Sequence, residues 1–384
     1  MKIRKLKIRN YKIFDDVEFD FTDAEGNTLD TIVLAGVNGC GKTTVLELIS
    51  KLNSGSWQQV IGEPEFDLSI WFVNVPNSLG ITSSNTPPHI NYNSKVGFRT
   101  SEPPLVEIVY FPVSLDKFKN NKTKTLHLSH QKDELKQLVL KNLRDDVFKN
   151  KDLPPKKIIE SQIRNVTRTL SSLDLNTRLV DLESEELIFE SANGQRIYFE
   201  QLSNGEQHLY FRAFYLSLLN LKDAVIMVDE PEAAFHPKWQ QSIATLYQNV
   251  GENNQVLIAT HSPHIMASVP PECLFMLHID ESDGKRKIRV INAAKAGKHS
   301  QGLEPDRILK EIMQVKSLRD YETQRDIDEL SQLLTVGTFE SKRAEELADK
   351  LTTQLGREDP FIILLEHELL MLRRKKRTPA LATA

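Results

Sequence analysis

Apolar and polar positions alternate over residues 1–9, with Ile3, Leu6 and Ile8 on one side, and again over residues 17–21. A period of two predicts strands. Residues 31–35, Thr-Ile-Val-Leu-Ala, are almost wholly apolar, the pattern of a parallel strand covered on both faces. A glycine-rich loop follows, then a helix over residues 42–51. Further strands are predicted at 67–75, 106–113, 178–180, 186–189, 196–199, 224–228, 255–259, 274–279 and 287–291. Asn193-Gly194 marks a hairpin turn between two of them. Helical spacing at 206–220 and 237–249 falls between strands. Strands that alternate with helices predict an α/β fold on a parallel or mixed sheet. Beyond residue 302 the spacing is helical throughout. Ile327, Leu330, Leu333 and Leu334 share one face, and Leu347, Leu351 and Leu355 another, with Gly356 as a stop. Asp359-Pro360 opens a last helix that ends in Arg373-Arg-Lys-Lys-Arg377.

Composition refines this picture in three ways. At 384 residues and 40% hydrophobic, the chain exceeds one small core. Lys and Arg number 49 against 53 Asp and Glu, a net charge of -4, so no global basic field holds it on nucleic acid. The distribution is uneven. Residues 117–168, from Lys117 to Arg168, carry 14 Lys and Arg against 6 Asp and Glu. Leu135, Leu138, Val139, Leu143 and Phe148 predict one amphipathic helix there, and residues 158–170 a second, with Pro154-Pro155 between them. This stretch is either a nucleic-acid contact or a solvated helical face. Cys40 and Cys273 are too few for a disulfide framework and point to a reducing compartment. The N-terminus has no signal-type apolar run, and no stretch of 18 apolar residues predicts a membrane span. A cytoplasmic protein is expected.

Four elements carry candidate chemistry. Gly36-Val-Asn-Gly-Cys-Gly-Lys-Thr43 fits G-x-x-x-x-G-K-[ST] between a predicted strand and a predicted helix. The loop set is Gly36, Asn38, Gly39, Cys40, Gly41, Lys42, Thr43 and Thr44. Its backbone N–H groups suit phosphate, Lys42 the β- and γ-phosphates, and Thr43 a Mg2+ ion. Cys40 reads as a small loop-filling residue rather than a redox switch. The apolar run 224–228 delivers Asp229 and Glu230 to a strand end, where ligands sit in open α/β sheets. Asp229 suits Mg2+, and Glu230 suits polarising an attacking water. Leu202-Ser-Asn-Gly-Glu-Gln207 opens a helix, with Ser203 and Glu206 spaced as a capping box. Ala259-Thr-His-Ser-Pro263 places His261 at a strand end, in reach of a γ-phosphate.

In this order the four elements resemble the ATP-binding-cassette ATPase superfamily. Residues 202–207, with Ser203, Gly205 and Glu206, look like its signature motif, and His261 like its switch histidine. Ile8-Arg-Asn-Tyr11 with Phe14, Glu230-Pro-Glu232, Phe235-His-Pro237 and Thr260-His-Ser-Pro263 are similar to the RecF, SMC and overcoming-lysogenization-defect branch. The helical tail is similar to that of Septu-type and retron-associated ATPases of anti-phage systems. The resemblance implies an α/β ATP-binding-cassette head with a helical insertion and a C-terminal helical extension. The expected divisions are 1–116 and 176–301 for the head, 117–175 for the basic insertion and 302–384 for the extension. It implies ATP and Mg2+ as cofactors and catalysis by Glu230, His261 and Lys42. It also implies a homodimer or higher assembly in which Ser203 and Gly205 complete the partner's site. The implied effector partner is a protein such as an HNH nuclease. A stand-alone RecF-like repair ATPase, a transporter energy subunit and a nucleotide-gated scaffold are rival readings. The glutamine that senses Mg2+ in such ATPases has only poor candidates, Gln58 and Gln59.

Overall fold

The computed structural model describes residues 1–54, 66–73, 89–93, 97–98, 107–111, 141, 154–183, 186–219, 221–281 and 286–377. These divide into two compact units, Met1–Gln314 and Val315–Ala384.

Among the described residues, the first unit contains three sheets. Strands β1 (Lys2–Tyr11) and β2 (Phe14–Asp20) form an antiparallel hairpin. β3 (Thr31–Ala35) is fully buried, as its unbroken apolar run requires. It leads through the glycine loop into helix α1 (Lys42–Ser54). β4 (Asp67–Val73), β5 (His89–Asn93) and β6 (Gly97–Phe98) extend the first hairpin in the order β2-β1-β4-β5-β6. β7 (Ile108–Phe111) and helix α2 (Pro155–Thr169) follow. β8 (Thr177–Glu183), β9 (Glu186–Ser191) and β10 (Arg196–Tyr198) make a small antiparallel sheet. Helix α3 spans Asn204–Leu219. β11 (Val225–Asp229), β12 (Gln255–Thr260), β13 (Leu274–Asp280) and β14 (Lys287–Asn292) complete the main sheet.

That main sheet has the order β14-β13-β3-β12-β11-β7. Its inner pairs are parallel, and β14 joins antiparallel to β13. β3, β11 and β12 are buried at every position. Their parallel register puts Ala35, Asp229 and Thr260 at one edge, at the carboxyl ends of adjacent strands. α1 packs against β7, β11 and β12. Gln255 is fully buried and ties the hairpin to this sheet. Its Nε2 donates to the carbonyls of Ile3 and Leu29, and its Oε1 accepts from the Ile3 amide.

Three expectations change. β5 and β6 carry no clear sequence signal, because they are short and lie in a stretch rich in Ser, Asn, Gly and Pro, where they pair with β4 and with each other. The single helix expected over 237–249 is two, Pro237–Gln240 and Ile243–Gln248. Ser242, with φ -109 and ψ 3, leaves helical geometry between them. The first unit also runs past residue 301 to Gln314, because Ile308 and Ile312 are buried in its core.

In the second unit, helices α4 (Tyr321–Thr335), α5 (Lys342–Leu355) and α6 (Pro360–Arg377) surround a core of their own. Ile327, Leu330, Leu334, Leu347, Leu351, Ile362 and Leu365 form it. No helix among the described residues is long and apolar enough to cross a membrane.

Candidate nucleotide-binding site

The glycine loop follows β3 because the sheet ends there and the chain must turn into α1. Gly41 takes φ +96, and a Cβ on it would lie 2.5 Å from the Phe14 ring. Any side chain there meets both strain and collision. At Gly36 a Cβ would lie 2.5 Å from the Leu277 carbonyl oxygen, so β13 fixes the loop from the other side. Cys40 is buried, and burial pushes its thiol above the usual range, which suits a filler and not a reactive group.

Lys42 is 5% exposed. Its Nζ donates to the Gly36 and Val37 carbonyls at 2.9 and 3.3 Å and lies 2.7 Å from His261 Nε2. Burial pulls its pKa below the usual lysine value, and nearby carboxylates oppose this only in part. Burial, then Lys42, lowers His261 as well, against the raising effect of Glu230 and Glu232. Glu230 Oε1 lies 3.3 Å from His261 Nε2.

Asp229 is 1% exposed, and its carboxyl is raised to about 6, chiefly by burial. The Thr43 hydroxyl opposes this shift, and the Tyr110 hydroxyl lies 3.5 Å from Oδ2. Asp229 Oδ1 is buried and makes no hydrogen bond to the described residues. A buried oxygen without a partner beside a threonine hydroxyl is an oxygen-only donor set that fits Mg2+.

These groups open onto a hollow of about 260 Å³, lined by Asn38, Gly39, Gly41, Lys42, Thr43, Thr44, Glu230 and His261. Lys12 and Ile13 of the β1–β2 turn also line it, and the sequence pattern points to neither. Lys12 has φ 51, and Asn10 close by has φ 55. Left-handed residues so close together mark a tight turn that only the folded hairpin brings over the loop.

Ser203 and Gly205 lie elsewhere. They line a second hollow of about 530 Å³ with Asp174, Asn176, His236, Lys238 and Trp239. The expected capping box is present. The Glu206 amide donates to Ser203 Oγ at 3.3 Å, and the Ser203 amide and hydroxyl donate to Glu206 Oε2 at 3.2 and 2.7 Å. Thr177 donates to the other Glu206 oxygen at 2.8 Å. Glu206 is thus buried, saturated and in neither hollow. Of the basic stretch 117–168, residues 117–140 and 142–153 lie outside the described residues, as do Gln58 and Gln59. Lys156, Lys157, Arg164 and Arg168 stand exposed on α2.

The solved SMC head bound to the C-winged helix domain of ScpA is similar in fold. The match has a TM-score of 0.51 at 18% identity, covering 77% of this chain and 99% of that one. The first unit has an SMC-like ATPase head fold. Among curated proteins, most of the chain is similar to the Septu protein PtuA of Bacillus thuringiensis. The two are 23% identical over 348 residues, 83% of this chain and 85% of that protein. The "Retron Vc95 probable ATPase" of Vibrio cholerae is 31% identical over 119 residues, 28% of this chain and 23% of that protein. The "Retron Ec83 probable ATPase" of Escherichia coli is 24% identical over 182 residues, 44% of this chain and 31% of that protein. Two domain-family models match the head. "AAA ATPase domain" covers residues 1–152. An "AAA domain" model, whose description names the AbiEii toxin of a type IV toxin–antitoxin system, covers 98–267. The chain is therefore similar to Septu and retron ATPase proteins, and its fold is like that of an SMC head.

Proposed function

We propose that this protein binds Mg2+ and ATP at the Lys42 hollow and hydrolyses ATP in a site completed by a second copy of the chain. The observation that supports this most is the separation of two half-sites. The phosphate loop, Glu230 and His261 share one hollow, whereas Ser203 and Gly205 line another. A single chain therefore does not bring its signature onto its own phosphate loop. Two chains arranged head to head satisfy both hollows at once.

Within each site the loop amides and the N-terminus of α1 receive the phosphates. Lys42 exchanges its present partners, two carbonyls and His261, for phosphate oxygens. Thr43 and Asp229 hold Mg2+, which neutralises phosphate charge when bound. Glu230 accepts a proton from the attacking water, and His261 orients toward the transferred group. Ser203 of the second copy, at the start of α3, supplies the helix N-terminus that faces the γ-phosphate.

The wider role is that of a regulatory ATPase in a bacterial anti-phage system, controlling an effector protein such as an HNH nuclease. The similarity to Septu and retron ATPases supports this role. Light scattering on the Glu230→Gln variant tests the assembly. The mass is expected to double on adding Mg2+ and ATP, and an unchanged mass rejects the composite site.

A further inference from the structure

One carboxylate next to the site has no role in the proposed hydrolysis. Glu232 sits in the turn Pro231–Ala234 that follows the acidic pair. Its Oε1 accepts three hydrogen bonds from the end of β12. They come from the Thr260 hydroxyl at 2.6 Å, the His261 amide at 2.7 Å and the Ser262 amide at 3.0 Å. Its Oε2 is buried and makes no hydrogen bond to the described residues.

We infer that Glu232 is a positioning residue for His261, holding the strand-end loop so that the imidazole stands against Lys42 and Glu230. The inference rests on the nucleotide reading of that hollow.

Three features carry it. First, Glu232 and Glu230 share one turn. Glu230 takes a left-handed φ of 44, and its amide donates to the Ala259 carbonyl at 2.8 Å. This backbone bond and the Glu232 carboxylate grip β12 on either side of Thr260. The Glu230 carboxylate and the His261 ring are therefore placed relative to each other by one short segment. Second, the grip continues outward. Ser262 Oγ donates to Gln240 Oε1 at 2.6 Å, and Gln240 Nε2 donates to the Phe235 carbonyl at 2.9 Å. The His261 loop is thus fixed at both its amides and its following hydroxyl. Third, the bonds are charge-assisted and partly buried, and charge-assisted bonds are the stronger kind. A histidine whose backbone is held by one carboxylate oxygen keeps its ring within the narrow range that phosphate contact needs.

The geometry separates the roles of charge and of acceptor. All three donors converge on Oε1 and none on Oε2. A glutamine carbonyl can take the place of Oε1 and keep every bond. Alanine loses all three and leaves two amides and a hydroxyl without that acceptor.

The test is ATP turnover by the full-length protein, wild type beside Glu232→Ala, Glu232→Gln and Thr260→Val, with Lys42→Ala as the reference for the site itself. Glu232→Ala is expected to lower kcat by about ten- to a hundredfold, the usual cost of removing an outer-shell support, with KM for ATP within about twofold. Glu232→Gln is expected to recover most of the kcat lost in Glu232→Ala, because its carbonyl keeps the three acceptor contacts while its amide nitrogen takes the place of the unbonded Oε2. Thr260→Val removes one of the three bonds to Glu232, together with the bond that the Thr260 hydroxyl accepts from the Ser262 amide at 2.9 Å, and is expected to cost a few-fold in kcat, a measurement that stands even if the alanine variant does not fold. Wild-type kcat in Glu232→Ala, or a Gln variant as impaired as the Ala variant, overturns the positioning role. Turnover retained in Lys42→Ala instead rejects the nucleotide reading of the hollow, so the two failures are distinguishable.

Discussion

In the helical unit that starts at Val315, each helix begins with its backbone satisfied. Asp320 accepts from the Thr323 amide, Ser341 from the Ala344 amide and Asp359 from the Phe361 amide. Its charges are paired as well. Arg319 makes two bonds to Asp359, Arg343 makes two to Glu329, and Lys350 reaches Asp326. The strand ends of the head are built differently. Asp229 and Glu232 each bury an oxygen without a hydrogen bond to the described residues. Glu230 is left-handed, and Lys42 is a buried ammonium held by two carbonyls and an imidazole. Such features cost on the order of 1–3 kcal/mol each and persist only where the surrounding fold over-determines them. The helical unit follows the rules of stability throughout. The head departs from them where three parallel strands end together, and that is where chemistry is placed.

The contrast predicts that stability and activity separate. Lys42→Ala and Glu230→Gln are expected to lower ATP turnover by about a hundredfold or more. Neither is expected to lower the thermal midpoint, since Lys42 is a charge buried against desolvation and the Glu230 side chain opens onto the hollow. Phosphate release and calorimetry on the same samples check this, and a large drop in midpoint would erase the distinction. Leu351→Ala should do the reverse. It opens a cavity in the second core and is expected to cost about 2–5 kcal/mol of that unit's stability in denaturant, with nucleotide affinity unchanged.

The pH dependence should also run in opposite directions. Asp229 is raised to about 6, so its contribution favours folding below its ordinary value and is lost as pH rises through about 6. Asp320, Asp326, Glu329 and Asp359 are held below the usual carboxylate range, chiefly by hydrogen bonds from Thr323, Lys350, Arg343 and Arg319. Their contribution is present above the ordinary values and is lost as pH falls through the lowered ones. Acidifying metal-free protein should therefore relieve the strand ends first and loosen the helical unit later. Hydrogen exchange resolved by peptide reads both, and Asp229→Asn should abolish the dependence at β11 only. The smallest effect is a cap. Ser341→Ala should cost about 1 kcal/mol in the helical unit, measured by denaturant titration.

Much of the fold was legible in the sequence. Buried parallel strands are unbroken apolar runs, so β3, β11 and β12 stand out, and the glycine loop between β3 and α1 declares itself. The helical unit was legible because its caps and its periodicity are local. What escaped depends on distant partners. Lys12 reaches the hollow only because the hairpin folds over Gly41. The Glu232 grip joins residues 28 to 30 positions apart, and no local pattern announces such a pairing. The same limit applies to Ser203. Its capping box with Glu206 is a local feature, and the hollow beyond it is not.

The central claim is that each chain holds two halves of different sites. Mixing two inactive variants tests it most directly. Lys42→Ala spoils the phosphate loop and Ser203→Arg spoils the signature, and each alone should be inactive. In a mixed dimer one site is doubly damaged and the other pairs an intact loop with an intact signature. An equal mixture is therefore expected to recover about a quarter of wild-type turnover per chain, as random pairing of a two-fold dimer requires. A mixture as inactive as its components, or a Ser203→Arg chain that is active alone, would contradict the account.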